Sequence, residues 1–145
     1  MERRLHRAEW VAIVVVLAVI LTITLWPTPV DRPFDHELNA ILTQLHRVGV
    51  PAWFDYNFVQ TASNVVMFLP LGALIASVVW ANFWWFSGVL GLTLSLSIEL
   101  TQDLLLPHRF ASAGDVIANT SGALLGGLVF AVGRRVFAGR RSEMH

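Results

Sequence analysis

Apolar residues fall into four long runs along the chain, separated by short polar breaks. The first covers about Trp10 to Trp26, 17 consecutive apolar or Thr residues. The second runs from about Phe58 to Trp80, with Pro70 and Gly72 inside it. The third runs from about Phe83 to Leu106 and the fourth from about Ser112 to Val132. A helix needs roughly 18–20 apolar residues to cross a bilayer, so the pattern predicts an all-α integral membrane protein with four transmembrane helices. Pro27 and Pro29 stop the first. Only Ala81 and Asn82 separate the second from the third, which predicts an antiparallel hairpin, with Trp80, Trp84 and Trp85 where an aromatic belt sits. Between the first two runs the period changes. Leu38, Ile41, Leu42, Leu45 and Val48 recur at helical spacing, away from Glu37, Gln44 and Arg47. At about 12 to 14 residues this segment is too short to span. It predicts an extracytoplasmic amphipathic helix lying on the outer membrane surface or capping the bundle, ended by Gly49 and Pro51.

Composition narrows the picture. Hydrophobic residues are 55% of the 145 and charged residues 14%, against about 25% charged in a typical soluble domain. The four runs leave no room for a soluble domain, so residues 1–145 form one transmembrane domain. The absence of cysteine excludes disulfides, thiolate metal sites and cysteine nucleophiles. Zero net charge gives no field for nucleic acid, and nothing predicts a cofactor or a resident metal. Arginine placement is informative in another way. Arg3, Arg4 and Arg7 precede the first run, and Arg134, Arg135, Arg140 and Arg141 follow the fourth. The long first loop carries Arg32 and Arg47 against four acids. The positive-inside rule then puts both termini in the cytoplasm, as an even number of spans requires. A basic start before an apolar run also fits a signal peptide. Here the run exceeds a usual signal core and its exit lacks small residues, which favours an uncleaved helix.

Polar residues inside the runs are costly and therefore informative. The second run carries Asn64, the third Glu99, Thr101, Gln102 and Asp103, and the fourth Asp115 and Asn119; Arg109 lies in the short loop between the last two. With the termini inside, Asn64, Glu99, Asp115 and Asn119 all fall in the outer halves of their helices. This predicts a polar pocket open outward above an apolar inner half. Asp115, Asn119, Gly122 and Gly126 form one helical stripe, and Gly91, Ser95 and Glu99 a comparable one. The Gly122-x-x-x-Gly126 spacing permits close helix approach, with the two carboxylates facing each other above it.

Each residue also has a plainer role. Glu99 and Asp115 fit a structural pairing with Arg109, and Ser112-x-x-Asp115 fits a capping box. Asn64, Gln102 and Asn119 fit interhelical hydrogen-bonding glue. The glycine pair fits packing within the bundle, and Pro70 with Gly72 a bend that lines a cavity or merely shapes the helix. Asp103 reads as solvated, and His108 as a loop residue.

Asn64, Phe68, Pro70 and Gly72 together resemble the N-x-x-x-F-x-P-x-G signature of VanZ-like membrane proteins. Ser97-Ile98-Glu99 with Gln102 is similar to that family's S-x-x-E-x-x-Q-type segment. Arg109, then Asp115-Val116, Asn119, Gly122 and Gly126, is similar to its closing R…D-V-x-x-N-x-x-G-x-x-x-G block. The blocks occur in order over about residues 60 to 127. Family members often carry further acids between the Arg and the retained Asp, where this chain has Ser112, Ala113 and Gly114. A cation site built on those acids would be weakened here. The resemblance implies a bacterial envelope protein of a family named for teicoplanin resistance, and it supplies no mechanism.

Three functions compete. In the first, the outward pocket binds a membrane lipid or lipid-linked cell-wall precursor and modulates glycopeptide susceptibility. Arg109 pairs phosphate there, and Asn64, Gln102 and Asn119 orient the headgroup, beside Glu99 and Asp115. In the second, Glu99 and Asp115 act as the acid/base pair, or as metal ligands, of a membrane-embedded enzyme on a lipid-linked substrate. No metalloprotease, serine-elbow or phosphate-loop motif supports it. In the third, the chain is a structural partner of another envelope protein.

Overall fold

The structure is a computed structural model that describes residues 2–28, 34–79, 81–106 and 112–142. Among these the chain is entirely helical: α1 (Glu2–Thr24), α2 (Asp35–Arg47), α3 (Tyr56–Val78), α4 (Phe86–Leu105) and α5 (Ala113–Ser142), with a short 3₁₀ turn at Ala81–Phe83 before α4. Local chemistry sets several boundaries. The α1 helix ends just before Pro27, which cannot continue it. Gly49 has φ +100°, a left-handed conformation that turns the chain away from α2. Asp55 starts α3 by accepting the Phe58 N–H at 2.9 Å. Pro70 lies inside α3 with its ring exposed, where its missing N–H interrupts the helical ladder.

Among the described residues three helices are long and apolar enough to cross a membrane, over Arg7–Thr24, Tyr56–Val78 and Ala113–Phe137. By length and composition that is one fewer than the four expected. The α4 helix falls short because Glu99, Gln102 and Asp103 join five Ser, Thr or Gly residues within its first eleven positions. Boundaries shift too. The first helix begins at Glu2, taking in the Arg-rich start, and α5 continues ten residues past Val132 to Ser142. At about 1.5 Å per residue the 30-residue α5 exceeds the roughly 30 Å hydrocarbon core. The link from α3 to α4 is longer than two residues and includes the 3₁₀ turn; Trp80 lies outside the described residues.

The α5 helix is the centre of the bundle. Ala118, Gly122 and Gly126 form one buried stripe, and Asn119, Ala123 and Gly127 form a second beside it. The first faces α3: a Cβ on Gly122 would strike the backbone of Val65, and one on Gly126 the backbone of Leu69 and Ala73. Gly72 returns the relation, since a Cβ there would strike the backbone of Ala123. The second stripe faces α4, with Gly91 against Ala123 and Gly127 against Ser87. The sequence expectation placed Asn119, Gly122 and Gly126 on one stripe opposite the Gly91–Ser95–Glu99 stripe. The structure divides them, and the glycine pair meets α3 instead.

These contacts fix directions. Val65 and Leu69 meet Gly122 and Gly126 in ascending order, so α3 and α5 run parallel. Ser95, Gly91 and Ser87 meet Asn119, Ala123 and Gly127 in descending order, so α4 runs antiparallel to both. The α1 helix packs on α3. A hydrogen bond from Gln102 to Thr24 puts the C-terminal ends of α1 and α4 at the same end of the bundle. Ile13, Ile20, Phe68, Leu71, Ile75, Ile98 and Ala123 close the core between the four long helices.

Gly126→Leu should therefore separate α3 from α5, at a cost at or beyond the ~3 kcal/mol upper end of ordinary overpacking. A Cβ on Gly133 meets nothing within 4 Å, so Gly133→Ala should keep or slightly raise the melting temperature. Thermal unfolding of the purified protein in detergent checks both. A Gly126→Leu protein that melts with the wild type would contradict the backbone contact.

Candidate functional site

The N-terminal half of α5 meets the C-terminal half of α4, and polar side chains gather there. On α4 the buried residues are Ser87, Gly88, Gly91, Ser95, Ile98, Glu99 and Gln102. Its exposed side carries Val89, Leu90, Leu92, Leu96, Leu100, Leu104 and Leu105. This is the reverse of a soluble amphipathic helix. The polar and small face is turned inward, where the partners are protein.

Three of the predicted site residues are almost wholly buried: Glu99 and Gln102 are each 5% exposed and Asn119 is 3% exposed. Burial of such groups is tolerable only with partners, and each has one. The Glu99 Oε2 accepts the Ser112 N–H at 2.6 Å, a charge-assisted geometry that holds the first turn of α5 onto α4. The Ser112 Oγ then accepts the Asp115 N–H at 3.2 Å, the first half of the predicted capping box. Glu99 and Asp115 are thus linked through Ser112, on either side of one helix start where a carboxylate also complements the helix dipole. Gln102 Nε2 donates to the carbonyl of Thr24 at 2.7 Å, tying α4 to the end of α1. Asn119 Nδ2 donates to Ser95 Oγ at 2.9 Å.

Among the described residues, Asn119 Oδ1 and the hydroxyl of the adjacent Thr120 are buried without a hydrogen-bond partner. An amide flip would only exchange which end of Asn119 is orphaned. Asn64 is half-buried on α3, one residue from the Val65 backbone that touches Gly122, which brings it to the same end of the bundle. Asp115 is half-buried and Asp103 exposed. Arg109 and His108 lie outside the described residues.

The expectation of an apolar far half needs one correction. Ser87, fully buried near the other end of α4, has its Oγ 2.6 Å from the Trp84 carbonyl and 3.0 Å from that of Ala123, sharing one proton between them. Two surface hollows are apolar, one lined by Val15, Ala18, Val19, Thr22 and Ile23 and the other by Val78, Val79, Phe83 and Phe86. Neither contains a predicted site residue. Sequence reasoning missed Thr24, whose contribution is a backbone carbonyl, and Ser112 as an N–H donor. It also missed Ser87; its spacing of eight from Ser95 and twelve from Glu99 was a signal for one shared face. Ser97, quoted for the resemblance, is exposed and bonds back to the Thr93 carbonyl.

Compared with known proteins, residues 11–134 match the family model described as VanZ/LLP1. The match reaches α1 and α2, beyond the segment of about 60 to 127 that carries the sequence resemblance. No curated protein and no solved structure gives a match.

The capping role predicts a difference between two substitutions. Glu99→Gln keeps an acceptor for the Ser112 N–H and should leave thermal stability close to wild type. Glu99→Leu orphans that donor and should cost ~1–3 kcal/mol, with faster amide exchange in the first turn of α5. Equal losses from the two would contradict the capping role.

Proposed function

The chain belongs to the VanZ/LLP1 family, and from that premise we propose that it is a four-span bacterial cytoplasmic-membrane protein whose polar end faces outward and binds a lipid or cell-wall-precursor headgroup. In this reading it modulates susceptibility to teicoplanin-type glycopeptides, which act at that same outer surface.

Four spans follow from direction. If α3 and α5 both cross and run parallel, the chain must return across the membrane between them, and α4 is that return. Part of its low hydropathy comes from Ser87, Ser95, Glu99 and Gln102, which are buried in the bundle, while its exposed side is mostly leucine and valine beside Thr93, Ser97 and Asp103. Arginine at both chain ends favours cytoplasmic termini, which sets the Glu99 end of the bundle outside.

The observation that carries the binding role is Asn119 Oδ1, a buried acceptor without a partner among polar groups from α4 and α5. A native bundle rarely leaves such an atom unpaired, and a hydroxyl or ammonium on a headgroup supplies the missing donor. Arg109, in the segment joining α4 to α5, is the partner for its phosphate. A second reading has its own support. Glu99 and Gln102 both bond to backbone groups, which is how purely structural glue behaves in a chain that serves another envelope protein.

Native mass spectrometry of protein extracted in native lipid separates the two. Headgroup binding predicts a retained lipid that is lost in Asn119→Leu and weakened in Arg109→Ala, and Glu99→Gln abolishing the cellular phenotype without loss of expression. Structural glue predicts no retained lipid and a wild-type phenotype for Glu99→Gln.

Orientation has its own test. Cysteines placed singly at Val50 and His108 should label in cells with an impermeant thiol reagent, after outer-membrane permeabilisation where one exists. One at Gly139 should not. The opposite pattern would turn the polar end inward and overturn the reading.

A further inference from the structure

The α2 helix has a wider apolar side than the bundle uses. It packs against α3, and Leu42 is its buried residue, with Leu38 and Leu45 half-buried beside it. Ile41 is 57% exposed and Val48 is 70% exposed. Phe34, just before the helix, is also exposed, and seven-residue spacing puts all three on one stripe. The polar residues His36, Asn39, Thr43 and Arg47 are exposed on the rest of the helix, and Glu37 and Gln44 flank the stripe.

A second exposed apolar group lies between the end of α2 and the start of α3. Trp53 lies edge-on to Phe58, with ring centroids 5.1 Å apart at 76°, and Phe54 stands 5.1 Å from Phe58. His46 Nε2–H donates to the Phe54 carbonyl at 3.1 Å, pinning this aromatic turn to α2. Trp53 and Phe58 are both exposed, and Phe58 belongs to α3, a helix long and apolar enough to cross the membrane. The Trp53–Phe58 pair therefore continues the exposed apolar surface of α3.

We propose that α2 divides its apolar face between two surfaces: Leu42 docks the helix onto the bundle, and Phe34, Ile41, Val48 and Trp53 enter the headgroup–acyl boundary of the bilayer. The occupant is a lipid surface for three reasons. Through Phe58, Trp53 continues the exposed face of a helix long and apolar enough to span a membrane. Tryptophan is the residue enriched at that boundary. A few side chains in a narrow stripe cannot supply the ~1,200 Å² that a stable protein–protein interface buries. The α2 helix lies at the N-terminal end of α3, the end where Asn64, Glu99 and Asn119 gather. An anchored α2 thereby holds those groups at headgroup depth. The inference rests on α3 being in a membrane and is independent of what the polar end binds.

The chain has no cysteine, so single labels are unambiguous. Ile41→Cys, Val48→Cys and Thr43→Cys, each carrying an environment-sensitive fluorophore, are reconstituted in phosphatidylcholine–phosphatidylglycerol vesicles with spin-labelled lipid. Labels at 41 and 48 should be quenched roughly twofold or more above the label at 43 by spin labels high on the acyl chain, and less by spin labels near its end, as interfacial insertion requires. Quenching at 41 and 48 equal to that at 43 would overturn the proposal. So would strongest quenching by the deep spin label, or protection that depends on protein density in the vesicle, the sign of a second copy on this face.

Discussion

Close approach of helix backbones at α5 is the constraint from which the rest follows. Two adjacent stripes of small residues let α3 come up on one side and α4 on the other, with Gly126 and Gly72 at positions where even a methyl group would meet backbone. Where lipid surrounds a bundle, apolar side chains gain little by leaving it for each other, and association depends on such packing and on interhelical hydrogen bonds. Parallel α3 and α5 then require α4 to traverse the bundle, and α4 can be polar on one face because that face never meets lipid.

The same constraint explains where polar groups are placed. Close packing leaves Asn119 and Ser95 in reach of each other and brings Glu99 to the start of α5. A carboxylate that caps a neighbouring helix does two things at once. It satisfies a backbone donor that the helix start leaves orphaned, and it holds the first turn of α5 onto α4. The polar end is thus tied together by backbone partners at Thr24 and Ser112.

Much of this was legible in the residues. The apolar runs gave three helices outright, the Leu38–Val48 periodicity gave α2, and Ser112-x-x-Asp115 gave the start of α5. The order of blocks from Asn64 to Gly126 gave the family. What was not legible had physical causes. A hydropathy run cannot tell that α4 hides its polar face, because the sum ignores direction. The Gly122–Gly126 spacing shows that a helix approaches closely but not which one, since two stripes one residue apart face different partners. Backbone contributions, such as the Thr24 carbonyl and the Ser112 N–H, carry no residue-type signal at all. The length of α5 was also hidden, because Arg134, Arg135, Arg140 and Arg141 argued only for leaving the membrane, although arginine is also a good helix former.

Whether α4 crosses the bilayer, with its buried polar side chains turned into the bundle, decides between four spans and three. Spin labels placed one at a time from Leu90 to Leu104 in reconstituted protein, read by collision with dissolved oxygen and with a water-soluble nickel chelate, test it directly. For a crossing α4, oxygen contact should peak at Leu92, Leu96 and Leu100, fall to a minimum at Gly91, Ser95 and Glu99, and repeat with the ~3.6-residue period of a helix, with nickel excluded around Leu96. Nickel contact at Leu92, Leu96 and Leu100 comparable to that at an exposed α2 position such as Thr43 would put α4 in water and contradict it.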